Sequence, residues 1–263
     1  MFTVNYVKPG RDLVYDQRHL GPGSEQLSDR IEQRLIDIDD GRAANTRFSL
    51  SASGFELVEV DFNYDRFDSS SGIKDDLLPA VSSWLKSRLG ASEVLVFDHT
   101  FRSKAASEKT TQHRSPVKTA HNDYTSNSAE HRLYQETTSR PELRQKRFQF
   151  INLWMPIYHK VEESPLAMVD ISTAKESDYH PLRLLYPDRE GEIAAISYNP
   201  DHKWYYFSEM APGEALLIKV FDSEMGTKLN GVPHTAVDSV EVDHPHALRS
   251  SLEIRTIAFF EDR

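Results

Sequence analysis

Three side chains suited to metal binding occur in this chain with a spacing that can bring them together. His121, Asn122 and Asp123 end a predicted strand over 116–121. Because alternate residues of a strand share one face, His121 and Asp123 point the same way and can take adjacent positions around a metal. The tripeptide alone also fits a surface turn. His234, in the later predicted strand GVPHTAV, makes a metal site the better explanation.

Two histidines and one carboxylate would leave three coordination positions open on the metal. Redox iron needs such positions to bind a bidentate cosubstrate and then dioxygen. Arg249, followed closely by Ser251, adds a guanidinium fork that suits a carboxylate. A rival cluster, His244 and His246, flanks a proline in a polar stretch and is predicted to be a solvated loop.

The amino-acid composition excludes several kinds of site and partner. The 263 residues include no cysteine, which excludes disulfides, thiolate zinc sites, iron–sulfur clusters and cysteine nucleophiles. With 31 Lys+Arg against 41 Asp+Glu, the net charge of −10 disfavours nucleic acids and anionic membranes as partners. The sequence shows neither a signal-peptide pattern nor an apolar run long enough for a membrane span. We expect a soluble, cytoplasmic protein.

Apolar spacing predicts helices over 24–38, over 75–89 ending at Gly90, and over 128–139 with Ala129, Leu133 and Tyr134 facing inward. Residues 48–62 are predicted to form a hairpin. The polar stretch 103–119 is long for a connection without secondary structure and runs into the His121 strand. We expect it to cover the active site.

From residue 93 onward, short apolar runs recur between turn residues, a pattern typical of a β-sandwich or jelly roll. The predicted strands are 94–99, 116–121, 148–157, 166–171, 192–198, 203–208, 215–221, 231–237 and 251–260. We expect a mainly β fold with flanking helices, a double-stranded β-helix of jelly-roll, cupin-like type. It would form one domain over 1–263, with 1–92 as helical and hairpin support and 93–263 as the jelly-roll core.

As a set, these segments resemble the Fe(II)/2-oxoglutarate-dependent dioxygenase superfamily. The resemblance is closest to the group that includes aspergillic-acid hydroxylase-type, gibberellin-desaturase-like and cephamycin 7α-hydroxylase-like proteins. It runs from about residue 54 to 260. The matching segments are AHNDYTSNSAEHRL, FINLWMPI, ESPLAMVD, NPDHKWYYFSEM, LIKVFDS, GVPHTAVD and RSSLEIRTIAFF.

The resemblance implies His121, Asp123 and His234 as the iron ligands. It also implies Arg249 with Ser251 as the pair that binds the distal carboxylate of 2-oxoglutarate. Arg255 lies on the same strand face by alternation and is the alternative partner.

Other residues near this pattern have open roles. Tyr124 and Asn152 are further candidates for cosubstrate binding. Related chains often carry Arg where this one has Met155, which predicts a more apolar pocket or another partner for an anionic group. Trp154, Trp204, Tyr205 and Tyr206 could line the pocket, although strand aromatics more often belong to the core.

The resemblance implies an oxygenase that uses Fe(II), 2-oxoglutarate and dioxygen to hydroxylate, desaturate or otherwise oxidise a small molecule, most plausibly in secondary-metabolite biosynthesis. The alternative is a cupin-like metal-binding protein or a non-oxidative metalloenzyme without 2-oxoglutarate turnover. A protein hydroxylase is a third class, disfavoured by analogy. A homodimer stays open, since oligomeric state does not follow from the sequence.

Overall fold

The computed structural model describes residues 1–10, 13–16, 18, 28–103, 113–224, 231–239 and 249–261. The strands in the first half of the chain are β1 (Phe2–Val7), β2 (Leu13–Asp16), β3 (Ile31–Ile36), β4 (Asp39–Asp40), β5 (Phe55–Glu59), β6 (Glu93–Arg102), β7 (His113–Arg114) and β8 (His121–Asn122). Those in the second half are β9 (Arg147–Pro156), β10 (Leu166–Val169), β11 (Tyr179–Leu185), β12 (Glu190–Ile196), β13 (Trp204–Tyr206), β14 (Glu214–Asp222), β15 (His234–Ala236), β16 (Asp238–Ser239) and β17 (Ser251–Phe260).

Helices are few in the described part of the chain. α1 (Ser70–Gly72), a π-helical turn (Ile73–Leu77) and α2 (Leu78–Leu89) form one continuous helical segment, and α3 (Ser126–Glu136) follows β8. Short 3-10 turns occupy Ser28–Arg30, Pro141–Gln145, Ile171–Thr173 and Glu176–Asp178. No helix in the described residues is long and apolar enough to cross a membrane.

The strands form three sheets. The largest has the order β2-β11-β12-β8-β15-β10-β13-β4, the second has the order β5-β14-β9-β17-β6-β7, and a small sheet has the order β16-β1-β3. Over the described residues the sheets remain separate and do not close into a barrel. The expectation of a mainly β architecture with few flanking helices is confirmed.

Alternation along β9 shows how the sheets are packed. Phe150 and Trp154 belong to an apolar core shared with Met168 of the eight-stranded sheet. Leu153 and Met155, on the opposite face, belong to a second core. The six-stranded sheet therefore has an inner face toward the eight-stranded sheet and an outer face under α2.

The predicted helix over 75–89 is confirmed. Val81 and Leu85 are buried in the outer core, as their spacing requires. Gly90 ends α2 in the left-handed region at φ 64°, and its N–H donates to the carbonyls of Lys86 and Ser87. The predicted helix over 128–139 is also confirmed, as α3, with Ala129 and Leu133 buried but Tyr134 exposed.

Two predictions for the first 60 residues are wrong. Residues 31–36 form strand β3, which pairs antiparallel with β1, and residues 24–27 of the predicted helix lie outside the described residues. The hairpin over 48–62 is absent, because Phe55–Glu59 pairs with β14. In both places long-range backbone pairing outweighs the local pattern.

The N-terminal part contributes strands to the sheets, where helical support was expected. β2 pairs with β11, β4 with β13 and β5 with β14. Strands β1, β2 and β11 were not predicted. The predicted strand over 116–121 is mostly irregular, with only His121–Asn122 as strand β8 and an isolated bridge between Asn5 and Thr119.

Candidate active site

His121, Asp123 and His234 converge at the centre of the eight-stranded sheet. β8 and β15 are neighbours, and His121 lies directly opposite His234 in their register. One potential ligand atom from each of the three residues lies within 4.8 Å of the others. Oδ1 of Asp123 is 3.5 Å from Nε2 of His121 and 3.8 Å from Nε2 of His234. The strand register thus brings the two histidines together, and Asp123, just after β8, completes an N2O donor set.

Backbone carbonyls orient both imidazoles. Nδ1 of His121 lies 2.8 Å from the carbonyl oxygen of Thr119, and Nδ1 of His234 lies 2.9 Å from that of Val232. A carbonyl can only accept, so each Nδ1 carries the proton and donates. Each Nε2 is left with a lone pair directed at the triad, the tautomer that binds a metal.

Asp123 is held through its other oxygen. Oδ2 accepts hydrogen bonds from Nδ2 of Asn152 at 2.7 Å and from Nε of Arg255 at 3.3 Å. Both donors come from the facing six-stranded sheet, where Asn152 and Arg255 are cross-strand partners on β9 and β17. The two sheets therefore meet at this carboxylate.

The electrostatics keep the donor set ready for a cation. Burial raises the pKa of Asp123, but the Arg255 guanidinium and the contact with His121 lower it more, so it lies well below its ordinary value. Burial lowers the pKa of His234, and the neighbouring His121 adds to this effect. An ionised carboxylate beside a neutral imidazole is the state in which these groups bind a metal.

Arg255 is surrounded by carboxylates. Its Nη1 donates to Asp98 at 2.9 Å and its Nη2 to Glu253 at 2.8 Å, in addition to the contact with Asp123. Although burial lowers the pKa of Arg255, Glu253 and Asp123 raise it more. Glu253 also accepts a hydrogen bond from Asn152 at 3.1 Å. This network ties the guanidinium to the protein's own anions.

Arg249 has the opposite surroundings. Its side chain is fully buried and donates from Nε to Ser251 Oγ at 3.2 Å and from Nη1 to the carbonyl of Ser164. Both acceptors are neutral, and burial lowers the pKa of Arg249 to about 9. A buried cation without a carboxylate partner among the described residues is suited to bind an anion.

A small, partly open cleft joins these features. His121 and His234 line it together with Arg249, Glu253, Arg102 and Trp154. Val117, Leu166, Thr235 and Ala236 complete the lining. The lining therefore combines the two histidines and three other charged residues with several apolar side chains.

Comparisons with known proteins agree with this site. A family model described as an oxidoreductase/YMDC permease-like domain matches residues 4–259. The hydroxylase/desaturase CTB9 of Cercospora beticola is 30% identical over 260 residues, which cover 89% of this chain and 79% of that protein. The hydroxylase/desaturase efuI of Hormonema carpetanum is 29% identical over 290 residues, 99% of this chain and 95% of that protein.

A relative of known structure agrees as well. The Fe(II)/2-oxoglutarate-dependent dioxygenase nvfI of Aspergillus novofumigatus is 29% identical over 248 residues, 90% of this chain and 87% of that protein. A solved structure of the iron and alpha-ketoglutarate-dependent endoperoxidase NvfI superposes with a TM-score of 0.85 at 26% identity, covering 99% of this chain and 98% of that chain. The chain belongs to the Fe(II)/2-oxoglutarate-dependent dioxygenase family. The expected jelly-roll fold, enzyme class and cofactors, Fe(II), 2-oxoglutarate and dioxygen, are thereby confirmed.

In this dioxygenase, two of the further candidate residues make contacts within the protein, and their role in cosubstrate binding stays a prediction. Tyr124 packs its ring on Phe150 at 4.6 Å between centroids and belongs to the apolar core. Asn152 contacts Asp123 and Glu253, so its amide is directed at the carboxylates.

The expectation for Met155 is wrong. Met155 belongs to the outer core with Val81 and Leu85 of α2, on the face of β9 opposite to Asn152 and Trp154. Since alternation directs this position away from the triad, its side chain does not change the character of the cleft.

Of the four aromatic residues considered for the pocket, only Trp154 lines the cleft described here. Trp204 donates from Nε1 to the hydroxyl of Tyr6 at 2.7 Å. The ring of Tyr205 contacts that of Phe48, and the ring of Tyr206 contacts that of Phe2, both in tilted arrangements. These contacts are those of ordinary core residues.

Sequence reasoning missed Glu253 and Arg102. Glu253 had a signal, because an acidic residue in the apolar strand SLEIRTIAFF alternates with Arg249, Ser251 and Arg255. Arg102 had none that the sequence could supply, since it ends β6 and reaches the site by pairing with Ser251 of β17. Residues 104–112 of the expected active-site cover and the His244–His246 cluster lie outside the described residues.

Proposed function

We propose that the chain oxidises a small molecule, with His121, Asp123 and His234 as the iron ligands. The observation that carries the assignment is the convergence of two Nε2 atoms and Asp123 Oδ1, with each Nδ1 held by a backbone carbonyl. An N2O set that leaves coordination positions open suits iron that must also bind a cosubstrate and dioxygen.

We also assign the distal carboxylate of 2-oxoglutarate to Arg249 and Ser251. Arg249 is buried in the cleft with only neutral acceptors, while Arg255 already contacts Asp98, Asp123 and Glu253. A dicarboxylate therefore gains more from Arg249. Arg255 acts instead as a positioning residue for Asp123.

When bound, iron, 2-oxoglutarate and dioxygen supply the oxidation, in which 2-oxoglutarate becomes succinate and carbon dioxide. The protein's part is to fix geometry. His121 and His234 hold their lone pairs toward one point, and Arg249 orients the cosubstrate. Val117, Leu166 and Ala236 supply an apolar part of the cleft wall.

The substrate is proposed to be a secondary metabolite that presents an apolar carbon skeleton to this wall. Relatives carry names such as hydroxylase/desaturase and aspirochlorine biosynthesis protein N. Hydroxylation and desaturation share the first hydrogen abstraction and differ in the fate of the substrate radical. Both reactions therefore fit this site.

Anaerobic addition of Fe(II) and then 2-oxoglutarate tests the proposal. We expect the weak visible charge-transfer band of the chelate, followed by succinate release when oxygen is admitted. A protein that binds the metal but shows neither signal would be the cupin-like alternative. His121→Ala and Asp123→Ala should abolish both signals, and turnover by either variant would refute the ligand assignment.

Several expectations remain proposals. One domain over 1–263 is supported by the pairing of β1 with β16 and of β2 with β11, which joins N-terminal strands to strands from the second half of the chain. A cytoplasmic enzyme without nucleic-acid or membrane partners fits the net charge of −10. A homodimer stays an open prediction.

A further inference from the structure

The indole of Trp154 is a buried donor without a partner. Its side chain is 2% exposed, and Nε1 has no acceptor among the described residues. Buried Trp N–H groups usually find an acceptor, because an unmade hydrogen bond in the interior is costly. Trp204 follows this rule, since its Nε1 donates to Tyr6. Trp154 departs from it.

The position of Trp154 indicates where an acceptor would come from. Trp154 lines the cleft with both histidines and Arg249. The Arg249 guanidinium carbon lies 5.2 Å from the centroid of the Trp154 ring. An anion bound by Arg249 in this cleft would therefore lie close to the same indole.

The protein's own carboxylate nearby is already engaged. Glu253 is the cross-strand neighbour of Trp154 and also lines the cleft. Its oxygens accept from Asn152 at 3.1 Å, from Arg255 at 2.8 Å and from Arg102 at 3.4 Å. The indole N–H makes no bond to it.

We infer that the indole N–H of Trp154 donates a hydrogen bond to the 2-oxoglutarate carboxylate that Arg249 binds. Trp154, Arg249 and Ser251 then form one carboxylate-binding site. The guanidinium contributes positive charge, and the indole N–H contributes a directional hydrogen bond. This inference rests on the proposed function. It makes Trp154 a cosubstrate-binding residue. It also predicts that the protein prefers ligands whose second carboxylate reaches Arg249 and Trp154 when the other end of the ligand binds iron.

The direct test follows the indole N–H signals by ¹⁵N–¹H NMR. The chain has three tryptophans, Trp84, Trp154 and Trp204, so the spectrum is simple. Protein loaded with Zn(II), a redox-inert probe, is titrated with 2-oxoglutarate, and Trp154→Phe assigns the signal. We expect the Trp154 proton to move downfield on saturation while the Trp204 proton stays in place. If Trp154→Phe does not fold, Trp84→Phe and Trp204→Phe assign the signal by elimination.

Affinity gives the second readout. Phe keeps an aromatic side chain, although a smaller one, and removes the N–H donor, so Trp154→Phe should raise the Kd for 2-oxoglutarate about ten-fold and leave the Kd for Zn(II) unchanged. Trp204→Phe is the matched control, since it removes an indole N–H bonded within the protein, and it should leave both constants unchanged.

The outcomes separate the two hypotheses. Wild-type protein that binds Zn(II) but not 2-oxoglutarate contradicts the proposed function itself. Wild-type protein that binds 2-oxoglutarate without moving the Trp154 signal, together with an unchanged Kd in Trp154→Phe, overturns the inference alone.

Discussion

Nδ2 of Asn152 lies 2.7 Å from Oδ2 of Asp123, across the gap between the two main sheets. Arg255 contacts the same oxygen at 3.3 Å. Oδ1 is left facing both histidines, at 3.5 and 3.8 Å from their Nε2 atoms. One carboxylate oxygen is thus assigned to the protein and the other to the metal, so Asp123 occupies a single coordination position. This leaves room for a bidentate cosubstrate and dioxygen.

Removing the Asn152 amide should weaken metal binding. In Asn152→Ala, Oδ2 loses its shortest hydrogen bond, so the carboxylate can rotate and the metal affinity should fall about 10–100-fold. Titration with Co(II), followed by its visible absorption, measures this. Gln149→Ala is the matched control, because Gln149 lies on the same strand and its amide donates to Asp222 at 2.7 Å. Equal Co(II) affinities in the two variants would contradict the positioning role of Asn152.

Replacing Arg249 and replacing Arg255 should impair different properties of the protein. Arg249→Gln removes the cation proposed for the cosubstrate and should weaken 2-oxoglutarate binding by about 2–5 kcal/mol with little effect on Co(II) affinity. Arg255→Gln leaves Glu253 and Asp123 as buried anions without their guanidinium. It should lower the free energy of unfolding by about 3–5 kcal/mol. Calorimetric titration and urea unfolding of both variants compare these effects, and a reversed pattern would assign the cosubstrate to Arg255.

Acid should destabilise the protein partly through His202. Burial lowers the pKa of His202, and its contact with Asp178, 3.0 Å from Nε2 to Oδ2, opposes this only in part. In the unfolded chain the imidazole titrates near about 6.5. Between that value and the lower folded pKa, the unfolded state binds the extra proton, so stability falls as the pH is lowered through this window.

Urea unfolding of the metal-free protein between pH 7 and pH 5 measures the effect. His202→Gln keeps an amide donor for Asp178 but does not titrate. Its stability should fall less steeply than that of the wild type, by up to about 1.4 kcal/mol for each pH unit inside the window. Parallel curves would show that His202 is not the group responsible.

Met155 should matter for folding and not for the site. Met155→Ala leaves a cavity in the outer core under α2 and should lower the free energy of unfolding by about 2–5 kcal/mol. Affinities for Co(II) and 2-oxoglutarate should match the wild type, because the side chain lies on the far face of β9. A selective loss of 2-oxoglutarate affinity in the folded variant would place Met155 at the cleft after all.

Local sequence patterns were most reliable where one element satisfies its own hydrogen bonds. Helix α2 was predicted with its terminus, because Val81 and Leu85 follow the helical period and Gly90 suits the left-handed end. The region 31–36 has apolar spacing that also fits a helix, yet it pairs with β1 along its whole length. Whether such a segment becomes a helix or a strand depends on pairing with strands that are distant in the chain. A local sequence pattern does not show these partners.

The sequence alone supplied the donor set, two histidines, one aspartate and no cysteine, although Asp123 lies just beyond β8 and not on the predicted strand face. It did not determine which arginine remains available to an anion. Arg249, just before β17, and Arg255, within it, are equivalent by the alternation that the sequence predicts. Arg255 contacts Asp98 through the pairing of β6 with β17 and Glu253 along β17 itself, and the packing of the two sheets adds Asp123. The Arg249 guanidinium has Ser251 and a backbone carbonyl as its acceptors among the described residues. Charge is a property of a side chain, but its neutralisation depends on which other chain segments lie within a few ångströms.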